Sequence, residues 1–171
     1  VDILYQKYLQ ICKNPQVSRQ GVQEWYDGYF TVAGKRLYNP RSVVMALRFN
    51  QLSSYWTSSG PYDEIFYYIR NDTDQIKKDL ALMVSGEGIE AKVDEFAASA
   101  MELKSRNQIY SAMVVYGLLT FINGKVFIPN KELMLKYEEL LQNEKFLCVG
   151  ISYDKETKEH QCKIEMLSNH S

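Results

Sequence analysis

Between Glu24 and Tyr29 the chain reads EWYDGY. A carboxylate beside a glycine lets backbone come close to a ligand, and a tryptophan with two tyrosines offers flat apolar faces with polar tips. Three readings stay open for this stretch: a binding site, a docking platform, or a helix end with Trp25 and Tyr29 in the core and Asp27-Gly28 as the stop. Other candidates for chemistry are weaker. SGEGIEAK lacks both the GxxxxGK[ST] spacing and a preceding strand, so it is no phosphate loop. His160-Gln161-Cys162, with Asp154 across a hairpin, makes half a metal site at most and otherwise a solvated turn before a buried cysteine. Serines are plentiful at Thr57 to Gly60 (TSSG), but both histidines lie near the C-terminus and supply no base for a Ser–His pair. That stretch reads as a helix cap.

The elements that must position these residues are mostly short amphipathic helices. Ile3 to Cys12 is apolar on a broad face, and Val17 to Tyr26 forms a second helix that stops at Gly28. Asn39-Pro40 starts a third, with Asn as N-cap, Pro at the first helical position, and Val43, Ala46 and Leu47 on one face. Gly60-Pro61 opens a fourth, in which Tyr62, Ile65, Phe66 and Ile69 share a face. Asp72 or Thr73 caps a fifth, with Ile76, Leu80, Met83 and Val84 inward and Gly86 at its end. A short extended piece follows around Ile89 to Val93. Asn107 to Tyr116 is helical and ends at Gly117. Leu119 to Ile122 then turns at Asn123-Gly124 into Lys125 to Ile128, the strongest short hairpin signal in the chain. Pro129-Asn130 caps a helix with Leu133, Met134, Tyr137, Leu140 and Leu141 on its buried face. Helix, tight hairpin and helix in this order look like part of a winged-helix domain. Two β-rich segments, Phe146 to Tyr153 and Gln161 to Leu167, close the chain around the loop DKETKEH.

The bulk numbers fit a folded protein: 171 residues, 46% hydrophobic, 24% charged and four prolines. A net charge of −1 gives no general electrostatic case for nucleic acid or an acidic membrane as obligatory partner. The charge is uneven, however. The first fifty residues hold Lys7, Lys13, Arg19, Lys35, Arg36, Arg41 and Arg48 against Asp2, Glu24 and Asp27, so an anion site belongs near the front. Cys12, Cys148 and Cys162 are too few and too scattered for a disulfide framework or zinc ribbon, which suggests core residues and a reducing compartment. The opening Val-Asp-Ile-Leu has neither an initiator methionine nor a signal-peptide pattern, so a fragment of something longer is expected. The charge-free stretch from Asn107 to Gly124 is interrupted by polar residues and reads as no membrane span.

Taken together, EWYDGYF, then LYNPRSVV, then YWTSSG, then VVYGLLTF with KVFIPNKEL are similar in order and spacing to the predicted AAA-ATPase-like family of bacteria and fungi. Its members usually join an ATPase part to a C-terminal PD-(D/E)XK-type nuclease domain. The match covers most of Val17 to Leu141. It implies the half of the ATPase that follows the nucleotide-binding core: a helical lid, then a winged-helix-like module. Walker A and Walker B segments do not occur in this chain. Arg41 stands where the family usually has tryptophan, and Pro61 where it tends to have asparagine. FLCVGISYDKETKEHQCKIE further resembles the closing β-hairpin of the nuclease domain, without the nuclease core's acidic and lysine catalytic residues. In related ATPases the lid lies over the nucleotide, so the resemblance implies a nucleotide-proximal turn built from Tyr26, Asp27, Gly28, Tyr29, Asn39, Pro40 and Arg41. Arg41, with Lys35 and Arg36 just before it, would meet phosphate at a helix N-terminus or else be a solvated surface charge.

The expected fold class is therefore mainly α (α+β): a helical lid-like bundle over residues 1–86, a winged-helix-like module over 87–144 and a C-terminal β-hairpin over 145–171. The expected function is a non-catalytic regulatory and interaction portion of an AAA-ATPase-like protein. Alternatives are a winged-helix nucleic-acid-binding module and a degenerate remnant of an ATPase–nuclease enzyme. No catalytic residue, metal ligand or cofactor is expected in this chain alone, with ATP and Mg entering only through an ATPase core. The expected partner is that core or another protein chain, with nucleic acid bound weakly and no membrane, in an intracellular setting, cytoplasmic or nuclear. Against nucleic acid, the helix from Asn107 holds no cation, and the helix after the wing balances Lys131 and Lys136 against Glu132, Glu138 and Glu139.

Overall fold

The computed structural model describes residues 1–31, 33–56, 69, 74–93, 103, 105–142, 146–154 and 159–166. Among these residues it is a mixed α+β fold with six helices and three small antiparallel sheets. None of the described helices is long and apolar enough to cross a membrane. The expected helix after Gly60-Pro61, the TSSG cap and the Asp72 or Thr73 cap lie outside the described residues, except for Ile69, which is buried.

The first three helices are α1 (Asp2–Ile11), α2 (Arg19–Tyr26) and α3 (Pro40–Phe49). Ser18 caps α2 by accepting from the Gly21 amide, and Asn39 caps α3 by accepting from the Arg41 and Ser42 amides with Pro40 at the start. Between α2 and α3 runs a two-stranded ribbon, β1 (Tyr29–Phe30) paired with β2 (Arg36–Leu37), where the sequence suggests only a connection. Tyr8, Val17, Val22, Tyr26, Val43, Ala46 and Leu47 form the core of this half.

The second core is built by α4 (Asp74–Val84), β3 (Ile89–Glu90), α5 (Arg106–Val115), β4 (Thr120–Ile122), β5 (Lys125–Phe127) and α6 (Lys131–Gln142). Ile76, Leu80 and Met83 of α4 pack in this cluster with Ile109, Met113, Leu133 and Tyr137, so α4 sides with the residues beyond 86. The β4–β5 hairpin turns at Asn123 (φ +50) and Gly124 (φ +78), both left-handed as a two-residue turn of this kind requires. β3 pairs antiparallel with β5, which puts β5 in the middle of the sheet. A capping box at Ser105 and Gln108 starts α5 one residue earlier than the apolar periodicity indicates, and so adds Arg106 to that helix.

The C-terminal strands β6 (Phe146–Asp154) and β7 (Glu159–Met166) pair antiparallel as expected. Their register sets Asp154 opposite Glu159 and Tyr153 opposite His160.

The two cores meet where the EWYDGY turn lies on the start of α6. Gly28 has φ +111, and a Cβ placed there would stand 1.8 Å from the Pro129 carbonyl oxygen. Both backbone strain and a collision therefore oppose any side chain at this position. Gly28→Ala is expected to destabilise by more than about 2 kcal/mol. Gly124→Ala, where φ is also positive but nothing lies within 4 Å, is expected to cost only about 1 kcal/mol. Urea denaturation midpoints of the two variants check this, and equal losses would refute the close approach.

Candidate functional site

Tyr26, Tyr29 and Arg41, among the residues singled out by sequence, lie near enough to one buried acid to feel its charge, and that acid, Glu132, is one that the sequence offers only as a balancing surface charge. Asn39 donates its amide to the Tyr26 carbonyl (2.8 Å), which ties the start of α3 to the end of α2. Ser42, in the first turn of α3, donates its hydroxyl to Glu132 Oε1 at 3.0 Å. The same oxygen accepts the backbone amides of Tyr55 (2.6 Å) and Trp56 (3.1 Å). Glu132 is fully buried. Its second oxygen, Oε2, has no hydrogen-bond partner among the described residues.

Glu132 owes its place to local sequence. Asn130 accepts the Leu133 amide and so starts α6, with Glu132 in its first turn, where a carboxylate is favoured by the helix dipole. An exposed first-turn acid is the ordinary outcome of that pattern, and a tally of surface charges on α6 counts Glu132 as one. The structure corrects this, because α3 and the 55–56 segment cover it. Burial pushes its pKa up, while the Tyr55, Ser42 and Trp56 hydrogen bonds and the Arg41 charge pull the other way.

Of the expected turn residues, Tyr26 is fully buried, and its hydroxyl donates to the Ser53 carbonyl and accepts the Ser53 amide. Burial raises its pKa to about 12. Asp27 is also buried; its carboxylate is not free, since it pairs with Arg36 at 3.2 Å and accepts the Gly28 amide at 2.8 Å. Tyr29 donates to the Gly117 carbonyl at 3.0 Å, and burial raises its pKa to about 12 against the pull of the neighbouring Asn130 and Trp56 side chains. Phe30 donates its amide to Thr120 Oγ1 at 3.2 Å, a second tie from the turn to the far core. Trp25 is only half-buried and lies against Lys131, whose ammonium stands 5.2 Å from its ring centroid. Pro40 and Arg41 are exposed, and the Arg41 and Ser42 amides are already taken by Asn39.

Two open features flank this seam. A cleft of about 390 Å³ beside the turn is lined by Gln20, Gln23, Glu24, Asp27, Arg36 and Pro129. Another of about 600 Å³ lies at the β4–β5 turn and gathers Lys92, Arg106 and Lys125 around Glu90. Arg106 is partly spoken for, because it holds the buried Asp79 at 2.6 Å, an anion that Tyr110 and Gln75 also contact. This brace joins α4 to α5.

A buried carboxylate with a raised pKa is the profile of a general base. Here three donors already converge on Oε1, and among the described residues no three His, Cys, Asp or Glu side chains gather as metal ligands do. What the arrangement does is clamp three chain segments together. Family models, curated proteins and solved structures were compared with the chain, and none matches.

Glu132→Ala leaves the Ser42 hydroxyl and two buried amides without their acceptor and is expected to cost roughly 3 kcal/mol. Glu132→Gln keeps an oxygen for them and should cost less. Because the folded pKa is raised, the wild type gains stability relative to Gln as pH falls through that pKa toward the ordinary value of 4.5, and loses it as pH rises. Denaturation of both proteins across pH 4 to 8 reads the sign, and a wild-type advantage that grows toward neutral pH would refute a raised pKa.

Proposed function

We propose that this chain is the non-catalytic regulatory and interaction portion, lid followed by winged helix, of an AAA-ATPase-like protein. One observation carries the reading. The segments on which the resemblance rests are scattered over more than a hundred residues, yet Gly28 and Tyr29, Asn39 and Ser42, Trp56, and Pro129 to Glu132 meet at one seam. Motif residues that are distant in sequence but converge in space can act as one unit. The second half is supported by its order: α4, a short strand, α5, then a hairpin whose second strand lies between the other two. From β3 onward this order is compatible with the winged-helix-like module expected over residues 87–144, and α4 packs on the same core.

On this reading the lid does not work as a loose flap. Its turn is pinned to the winged helix through Gly28 and Glu132, so lid and module move as one body when they meet an ATPase core. Asp27 is held by Arg36 and is a structural anion, which leaves Arg41, at the exposed start of α3, as the lid residue available to a nucleotide's phosphates. ATP and Mg would be supplied and held by the core. The isolated chain is expected to show no ATP turnover, for want of a phosphate cradle and magnesium ligands. It is expected to bind a separately expressed ATPase core of the resembled family, and Arg41→Ala should lower ATPase activity of the reassembled pair by about tenfold while leaving association intact. Turnover by the chain alone, or no association with the core, would refute the proposal.

A second reading, a nucleic-acid-binding module, is favoured by the cleft at the wing turn. Lys92 and Arg106 join Lys125 there, cations that inspection of the hairpin alone does not bring together. Arg106 is compensated by Asp79 and Glu90 lines the same cleft, so few phosphates can be neutralised. Duplex DNA is expected to bind weakly and to be released by modest salt. Submicromolar affinity at physiological salt, lost in Lys92→Glu with Lys125→Glu, would make this the better reading.

A further inference from the structure

α1 and α3 leave a groove of about 410 Å³ between them. It is lined by Leu4, Tyr8, Ile11, Cys12, Val44 and Leu47, with Arg48 and Asn50 as its polar members. Several of these are far more open than apolar residues on a settled surface: Ile11 is 82% exposed, Val44 48% and Leu4 46%.

The charges beside the groove are of one sign. Lys7 shares the face of α1 that carries Leu4 and Ile11, and Arg48 of α3 lies in the groove's own lining. Both cations are exposed. The only carboxylate on either helix, Asp2, is held by Arg19 at 2.8 Å. A largely apolar slot between two helices, with Arg48 in its lining and Lys7 exposed on the α1 face beside it, is complementary to one kind of occupant.

We infer that the α1/α3 groove docks an amphipathic helix of a partner protein, whose apolar stripe enters the slot while acidic residues on its flanks meet Lys7 and Arg48. Shape and charge select this occupant over two others. A bilayer surface needs a convex apolar face, whereas this one is concave between two helix ridges. A second copy of the chain would bring its own α1 and α3 cations against these, like charge on like. The stripe to be recognised has leucine-sized residues at i, i+3, i+4 and i+7, the spacing by which helices fill such grooves. The groove's lining shares no residue with the Glu132 seam, so the inference does not rest on the ATPase-lid reading.

The test uses the full chain and a fluorescein-labelled helical peptide with that leucine stripe flanked by glutamates, followed by anisotropy. A twin peptide carries lysine at every glutamate. The glutamate peptide is expected to bind at least about tenfold more tightly than its twin, and Arg48→Glu and Val44→Asp are each expected to weaken it by about tenfold. Both substitutions lie on exposed positions, and an unchanged denaturation midpoint shows that the fold is kept. No binding of the glutamate peptide, or equal binding of the two peptides, would overturn the inference. So would tighter binding to phosphatidylserine-containing vesicles than to the peptide, or a wild-type dimer that Val44→Asp dissociates.

Discussion

Everything about this chain's architecture turns on one carboxylate that has been taken out of water. Stripping solvent from a charged group costs several kcal/mol, and the cost is offset only where donors of the right geometry replace the lost water. Glu132 finds them for one of its oxygens, Oε1, in the Ser42 hydroxyl and the amides of Tyr55 and Trp56, while Oε2 has none among the described residues. None of those donors belongs to the same element as Glu132. Satisfying the carboxylate therefore requires α3, the 55–56 segment and α6 to be in place at once. The contact of Gly28 with Pro129 is the steric side of the same demand, since α2 must come this close for the seam to shut.

Two cores joined in this way behave differently from two cores on a tether. Each cluster buries aromatic and aliphatic side chains of its own, and alone would be a small domain with limited stability. The seam adds a polar lock whose members are costly to leave unpaired, so partial opening is penalised and the halves unfold together. On the proposed reading, that rigidity is the means by which a contact made at the winged helix is felt at the lid.

Much of the fold was legible in the sequence because its signals are local. Asn39-Pro40, Asn123-Gly124 and the β-rich composition of Phe146 to Tyr153 and Gln161 to Leu167 each act through neighbours along the chain, and the structure places a helix start, a hairpin turn and paired strands there. The Ser105–Gln108 capping box was equally local and readable, and it moves a cation into α5. The site was not legible in the same way. Glu132 looks like any acid in a first helical turn, and nothing nearby in sequence says that segments some ninety residues upstream will cover it. Asp27 looks like a free carboxylate until the β1–β2 ribbon brings Arg36 back to it. Of the neighbouring aromatics Trp25 and Tyr26, it is the tyrosine that is fully buried, a choice fixed by how α2 is rotated against α3 rather than by residue type.

The most direct measurement of the central claim is native-state hydrogen exchange at the Tyr55 and Trp56 amides, read residue by residue by NMR. These two amides sit outside any helix or strand, and their protection depends on the Glu132 carboxylate. If the seam holds the halves as one unit, both exchange only through global unfolding, with the same opening free energy as amides in the middle of α5 and α6. Exchange as fast as in an unfolded peptide, while α5 and α6 stay protected, would show that the seam opens freely and would contradict the account.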